Sequence, residues 1–293
     1  MGLAINESSK NERAIEFYNL ISGLRLVPST PTLFHAGLER AQLSSCFLTT
    51  VDDDLNHIFK SLGDKANLLK YSGGVATDWT NLRALGSPIK SIATESTGLI
   101  PFLKLANDTT GAINRSGRRR DHCGVVHCSN LCTEITLNTS AQETAVCNLG
   151  SVNLARHIRE GKLDDNLFQE TITTAIRMLD NVIDLNYYPT KEAKYSNFQH
   201  RPIGLGMMGF QDALFQLNIN YNSPEALEFT DQLTEKFSYS AISASCQLAR
   251  ERGTYASYQG SKWDRGLFPL DTLNLLEKER GLPIKTNRQS KLN

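Results

Sequence analysis

The chain has 293 residues, 40% of them hydrophobic and 21% charged, which excludes a disordered tail. Thirty-one basic side chains balance thirty-one acidic ones, so a global electrostatic footprint for nucleic acid is absent. No apolar run approaches the roughly 20 residues of a membrane span, the opening MGLAINESSK lacks the layout of a signal peptide, and six cysteines are too sparse for a disulfide scaffold. The expectation is a cytoplasmic protein with neither nucleic acid nor membrane as a partner.

Residues 10–24 read as a helix, with Ala14, Phe17, Tyr18, Ile21 and Leu24 on one face. The Pro/Thr/Gly segment Val27 to Gly37 reads as a loop. SSCFLTT, residues 44–50, is β-prone and runs into Asp52, Asp53 and Asp54, which can cap a following helix. That helix shows Leu55, Ile58, Phe59, Leu62, Ala66 and Leu69 at a 3.6-residue period. Gly73 and Gly74 break the chain before a β-prone VATDWT, and a helix follows from about Pro101 to Ile113.

A basic loop, Asn114–Arg120, fits either a phosphate cradle or a solvated turn. Residues 121–153 read as extended pieces. Helices are expected at about 165–185 and 224–252, the second starting after Ser223 and stopping at Gly253. Alternating strands and helices point to an α/β chain with mostly parallel strands.

Three cysteine settings carry chemistry. In SNLCTEI, Asn130, Cys132 and Glu134 sit two apart. On an extended segment they share one face, with Cα atoms roughly 6.6–7 Å apart, and offer one ligand an amide, a thiol and a base. A strand with a buried cysteine between solvent-facing neighbours fits the same spacing. Cys46 in QLSSCFL and Cys147 in ETAVCNLGSVNL lie on β-prone stretches. They can act as a dithiol if their strands bring the Cα atoms within about 4.4–6.8 Å; two ordinary buried thiols are the other reading. His122, Cys123, His127, Cys128 and Cys132 fall within eleven residues and offer a zinc-module alternative, although the spacing is irregular. Gly204, Gly206 and Gly209 make a lone G-x-G-x-x-G, read as close strand–helix packing rather than a dinucleotide site. Cys246 reads as core, and His35, His57, His157 and His200 receive no role.

PSTPTLFHAG, QLSSCFL, RALGSPIK, SNLCTEITLNTS, AVCNLGSVNL, RPIGLGMMGFQDAL and SKWDRGLFP, in this order, resemble the catalytic large (alpha) subunit of ribonucleotide reductase, in the aerobic class that acts on ribonucleoside diphosphates. The resemblance implies an incomplete α/β barrel of two half-barrels, the first lacking strands. Residues 1–120 would hold the N-terminal helices and the start of the first half-barrel, and 121–293 the cysteine loop and the start of the second.

By the same resemblance, Cys132 is the thiyl-radical cysteine, Glu134 the base at the 3′-hydroxyl and Asn130 the positioning amide. Cys46 and Cys147 match the redox pair. Thr32, Ser45 and Arg119 match substrate-contacting positions, and Asp53 and Arg83 positions of the effector site. The implied activity is reduction of ribonucleoside diphosphates to supply DNA precursors. It implies deoxynucleoside triphosphate or ATP effectors, no resident cofactor or metal, a radical from a separate metal-containing small subunit, and a thioredoxin- or glutaredoxin-like dithiol. A homodimer or a complementing chain is a further implied partner.

The resemblance breaks where RSGRRR jumps almost directly to DHCGVVHCSNLC, with Arg115 and Ser116 standing where a Gln-Gly type pair is usual. The family's later phosphate-binding segment, relay tyrosines and tail cysteines are not found before Asn293. A nucleotide-binding or assembling fragment is therefore the alternative to a working enzyme.

Overall fold

The structure is a computed structural model that describes residues 2–89, 93–113, 137–268, 271 and 277–278. The elements run α1 (Lys10–Ser22), β1 (Leu26–Pro28), α2 (Thr30–His35), β2 (Cys46–Thr50), α3 (Leu55–Lys70), β3 (Gly74–Asp78), β4 (Pro88–Ile89), β5 (Thr94–Glu95) and α4 (Ile100–Ile113). They continue with β6 (Ala145–Cys147), β7 (Leu149–Asn153), β8 (Ile158–Arg159), β9 (Lys162–Leu163), α5 (Asp165–Leu185), α6 (Lys191–His200), β10 (Gly204–Met208), α7 (Phe210–Leu217) and α8 (Pro224–Arg252).

The helices expected from periodicity form within two residues of the expected bounds, and local chemistry explains their ends. The Asp54 carboxylate accepts the His57 N–H at 2.9 Å and starts α3. The Asp164 carboxylate does the same for Leu167 at the head of α5, and the Ser223 hydroxyl accepts the Ala226 N–H at the head of α8. Each satisfies a donor that the first helical turn leaves without an intrahelical partner. Val27 to Gly37 is not a loop. It forms the end of β1 and the short helix α2, because Pro31 sits in the first turn, where its missing N–H costs nothing.

Two three-stranded sheets position the site. One has the order β1-β7-β10, with β1 antiparallel and β10 parallel to β7. The other has the order β3-β2-β6, with β3 parallel and β6 antiparallel to β2. Two antiparallel ribbons, β4-β5 and β8-β9, complete the described strands. The expectation of mostly parallel strands is thus corrected to mixed pairing. Part of the reason is local: Glu160 and Gly161 both have positive φ, which closes a two-residue hairpin between β8 and β9. None of the described sheets closes into a barrel.

Strands β6 and β7 belong to different sheets, yet only Asn148 separates them. The chain changes sheet at that single residue.

The main core surrounds α5, whose buried Phe168, Ile172, Ala175, Ile176, Val182 and Ile183 recur at helical spacing. It packs against α8, α1 and β7. A smaller core of Phe47, Leu68, Val146 and Ala193 underlies the cysteine-bearing sheet, with Val75 and Tyr188 against it. A Cβ on Gly204 would collide with the Leu149 side chain on the neighbouring strand β7, and Gly209, with φ +72, turns the chain into α7, so the glycine motif serves close strand–strand approach and a helix start where strand–helix packing was expected.

Cys246 corrects another expectation. It is exposed, because α8 buries the stripe of Leu233, Ser240, Ala244 and Leu248, and two residues past Ala244 the helix has turned to the opposite side.

Residues from Thr254 onward form a separate compact unit. Its described part holds edge-on Tyr255 and Tyr258 rings, with centroids 5.6 Å apart, and a tilted Trp263–Phe268 pair at 5.7 Å.

Candidate active site

Cys46 opens β2 and Cys147 closes β6, and the two are register partners on antiparallel strands. Directly opposed residues send their side chains to one face, with Cβ atoms about 4.5–5.5 Å apart. Both cysteines are buried, at 4% and 2% exposure. One step further along the strands, the Ser45 N–H donates to the Cys147 carbonyl at 3.0 Å. The sequence's two candidate cysteines, a hundred residues apart, therefore meet on one rung.

Thr32 and Ser45 lie on the approach to this rung. Pro31 starts α2, and the buried Thr32 hydroxyl in its first turn donates to the Leu43 carbonyl at 2.7 Å. Ser45 is 8% exposed, and its hydroxyl finds no hydrogen-bond partner. A buried hydroxyl left in this state costs free energy that a bound polar group would recover.

Sequence reasoning missed the polar chain behind the cysteines. The Ser44 hydroxyl donates to Asn148 Oδ1 at 2.8 Å. Asn148 Nδ2 donates to Asn197 Oδ1 and to the Pro202 carbonyl, both at 3.0 Å. Asn197 Nδ2 donates to the Tyr188 hydroxyl, which donates to the Ile183 carbonyl at 2.7 Å. Burial pushes the Tyr188 phenol well above its ordinary pKa, so it stays a donor. These residues are scattered over more than 140 positions and show no local pattern.

The two expected effector residues also come together. Arg83 Nε lies 2.6 Å from Asp53 Oδ2, and a second Arg83 nitrogen reaches the Pro88 carbonyl at 3.4 Å. Both side chains remain about one-third exposed.

Asn130, Cys132, Glu134 and Arg119 lie outside the described residues, as do His122, Cys123, His127 and Cys128 of the zinc alternative. Among the described residues no group of three or more His, Cys, Asp or Glu gathers to hold a metal. The chain re-enters the description at Leu137, and Thr139 is hydrogen-bonded to Thr50 at the far end of β2. Among the described residues no helix is long and apolar enough to cross a membrane.

The four histidines given no role turn out to hold local structure. His35 donates to the Gln42 carbonyl at 2.8 Å, and His57 accepts the Asp52 N–H at 2.9 Å. His157 is fully buried between the Asn153 carbonyl and the Thr171 hydroxyl, and burial lowers its pKa. His200 faces Glu143 at 3.4 Å.

Comparison with known proteins places this arrangement. A model described as ribonucleotide reductase, barrel domain, matches residues 44–122 and 120–291. A second, ribonucleotide reductase, all-alpha domain, matches residues 1–41. The ribonucleoside-diphosphate reductase subunit alpha of Chlamydia pneumoniae is 42% identical over 410 residues, covering 96% of this chain and 39% of the relative. The large chain of Schizosaccharomyces pombe is 28% identical, covering 90% and 48%. The large subunit of Vaccinia virus is 28% identical, covering 92% and 51%.

The chain thus spans between about two-fifths and half the length of these relatives. An alignment longer than the 293-residue chain means that the Chlamydia relative carries over a hundred residues within the matched region that this chain lacks. The split in the barrel match falls at residues 120–122, where the sequence jumps from RSGRRR to DHC. Matched by both domain models over most of its length, the chain belongs to the ribonucleotide reductase large-subunit family, with an incomplete form of its barrel domain.

Proposed function

We propose that this chain is a shortened large subunit that reduces ribonucleoside diphosphates to deoxyribonucleoside diphosphates by thiyl-radical chemistry. The observation that carries the reading is the shared rung of Cys46 and Cys147. Two buried thiols facing each other across antiparallel strands can together give up two electrons, and the reduction needs two.

A thiol S–H bond is weak enough to exchange hydrogen with a sugar C–H bond. Cys132 as a thiyl takes the hydrogen from the 3′ carbon, and Glu134 accepts the 3′-hydroxyl proton while Asn130 orients both. A proton from the cysteine pair lets the 2′-hydroxyl leave as water. The pair then supplies two electrons and becomes a disulfide, and Cys132 returns its hydrogen to the 3′ carbon. Per turnover, one ribonucleotide and two thiols become one deoxyribonucleotide, one water and one disulfide. The orphaned Ser45 hydroxyl supports a polar substrate beside the pair, with Thr32 and Arg119 as further contacts.

The radical comes from a separate small subunit, and an external thioredoxin- or glutaredoxin-like dithiol reopens the disulfide. A deoxynucleoside triphosphate or ATP at Asp53 and Arg83 sets substrate choice, the guanidinium meeting phosphate through paired donors.

The test is a reductase assay with a ribonucleoside diphosphate, a small subunit and a dithiol, run beside Cys132→Ser. Turnover that the serine variant abolishes is the expected result. Turnover that survives the change contradicts the thiyl assignment. The short span relative to the relatives favours a second reading, a fragment that binds nucleotides or assembles with another reductase chain. Deoxynucleotide binding without any turnover is the result that selects it.

A further inference from the structure

We propose that Ser44 and Asn148 form a clasp that positions the Cys46–Cys147 pair, backed by Asn197 and Tyr188. The inference rests on the reading of that pair as the two-electron reductant. Ser44 stands two residues before Cys46, and Asn148 directly follows Cys147. Their side chains meet at 2.8 Å just beyond the ends of the two strands that carry the cysteines.

Strand β6 has only three residues, and its Cys147 end is also where the chain leaves one sheet for the other. A short strand ending at a sheet change has little ladder of its own to fix its last rung. The Asn148 side chain supplies the missing constraint. It accepts from Ser44 and donates to Asn197 and to the Pro202 carbonyl, and its main-chain carbonyl accepts the Gly204 N–H at 2.9 Å.

The chain of bonds has one orientation. Tyr188 must donate to the Ile183 carbonyl, so it accepts from Asn197; the Asn197 oxygen then faces the Asn148 amide, whose own oxygen faces Ser44. Turning either amide over would set oxygen against oxygen or nitrogen against nitrogen. Ser44, Asn148 and Asn197 are at most 1% exposed, so water does not compete for these bonds. While the cysteines are reduced, no covalent bond holds their sulfurs face to face. The clasp does so, and thereby raises the effective concentration at which the disulfide closes.

The experiment equilibrates the full chain against mixtures of dithiothreitol and its cyclic disulfide. Oxidation passes two electrons and two protons from the protein thiols to the reagent disulfide, which becomes the dithiol. Alkylation and mass spectrometry of the Cys46 and Cys147 peptides give the oxidised fraction. Ser44→Ala and Asn148→Ala are each expected to shift the midpoint about tenfold toward the dithiol, or about 30 mV for a two-electron couple. The double variant is expected to shift it no further than Asn148→Ala alone, since the Ser44–Asn148 bond is already lost when Asn148 is replaced. Val146→Ala, which thins the packing under the same strand, is expected to lower stability and leave the midpoint within twofold.

Midpoints of Ser44→Ala and Asn148→Ala within twofold of the wild type overturn the clasp, and so does an equal shift in Val146→Ala. If Asn148→Ala does not fold, Ser44→Ala against Val146→Ala decides alone. A wild-type pair that never closes overturns the reading of the cysteines and the clasp together, whereas closure with unmoved variants overturns the clasp only.

Discussion

The surroundings of α5 and those of the cysteine rung differ in how they balance apolar and polar burial. Around α5 the buried set is mainly apolar, with Phe168, Ile172, Ile176, Met178 and Val182 in the core it shares with α1 and α8, and its polar members, Thr171, Thr174, Asp180 and Asn181, are fewer. Around the cysteines the apolar cluster shrinks to Phe47, Leu68, Val146 and Ala193, while Thr32, Gln42, Ser44, Asn148 and Asn197 are also buried in this part of the molecule. Apolar burial is non-directional and scales with area, so it fixes that two surfaces meet rather than how. Hydrogen bonds contribute less net free energy but specify angle and register. The first region supplies stability and the second supplies geometry.

The largest expected effect tests the second region. Cys46→Ser or Cys147→Ser is expected to abolish turnover supported by a dithiol while leaving the urea midpoint close to that of the wild type. A reductase assay beside a denaturation curve separates the two. A serine variant that turns over at the wild-type rate would erase the distinction drawn here.

Next comes the apolar region. Ile172→Ala is expected to cost about 2–5 kcal/mol in unfolding free energy, because it leaves a cavity in a fully buried stripe. Val146→Ala, in the smaller core, is expected to cost roughly 2 kcal/mol. Equal losses would mean that the two cores share stability evenly.

A third test uses acid. Glu7 is buried against Arg177, Arg252 and Asn181, with Arg252 also bridging to Asp180. Burial pushes the Glu7 carboxyl up. The Asn181 hydrogen bond and the two guanidinium groups more than offset this and hold it below its ordinary value of 4.5. The folded pKa is thus the lower one. The contribution is fully present above the unfolded value and is lost as the pH falls through the folded one. Glu7→Gln is expected to cost about 1–3 kcal/mol at neutral pH, with the gap to the wild type narrowing on acidification. Thermal melts from pH 7 to pH 3 check this, and a gap that widens toward acid contradicts it.

The smallest effect on stability is expected at the exposed Asp53–Arg83 pair, at about 0.2–1 kcal/mol for Arg83→Ala. The same change is expected to weaken deoxynucleoside triphosphate binding measured by calorimetry. Unchanged binding would remove Arg83 from the proposed effector site.

Much of the stable region was legible in the sequence. The spans of α1, α3, α5 and α8 and the buried face of α5 follow from the apolar period and the break residues, and Asp54 and Ser223 marked two of the starts, whereas Tyr18, Leu24, Leu55 and Phe59, expected on the apolar faces of α1 and α3, are exposed. Helix α2 was missed because Pro31 and Thr32 read as breakers when they occupy a first turn. In the site, the residues themselves were legible through a family resemblance and the β-prone flanks of the cysteines. The shared rung required strand pairing between segments a hundred residues apart, which no local pattern records. The buried chain from Ser44 to Tyr188 was illegible for the same reason, as was the Glu7–Arg252 pair that joins the two ends of the first unit.

The most direct measurement of the central claim is a single turnover without external reductant. The chain, a small subunit and a ribonucleoside diphosphate are mixed, quenched and mapped for disulfides. The expected result is one Cys46–Cys147 cross-link per deoxyribonucleotide formed. Deoxyribonucleotide formed while both cysteines remain open to alkylation would contradict the account.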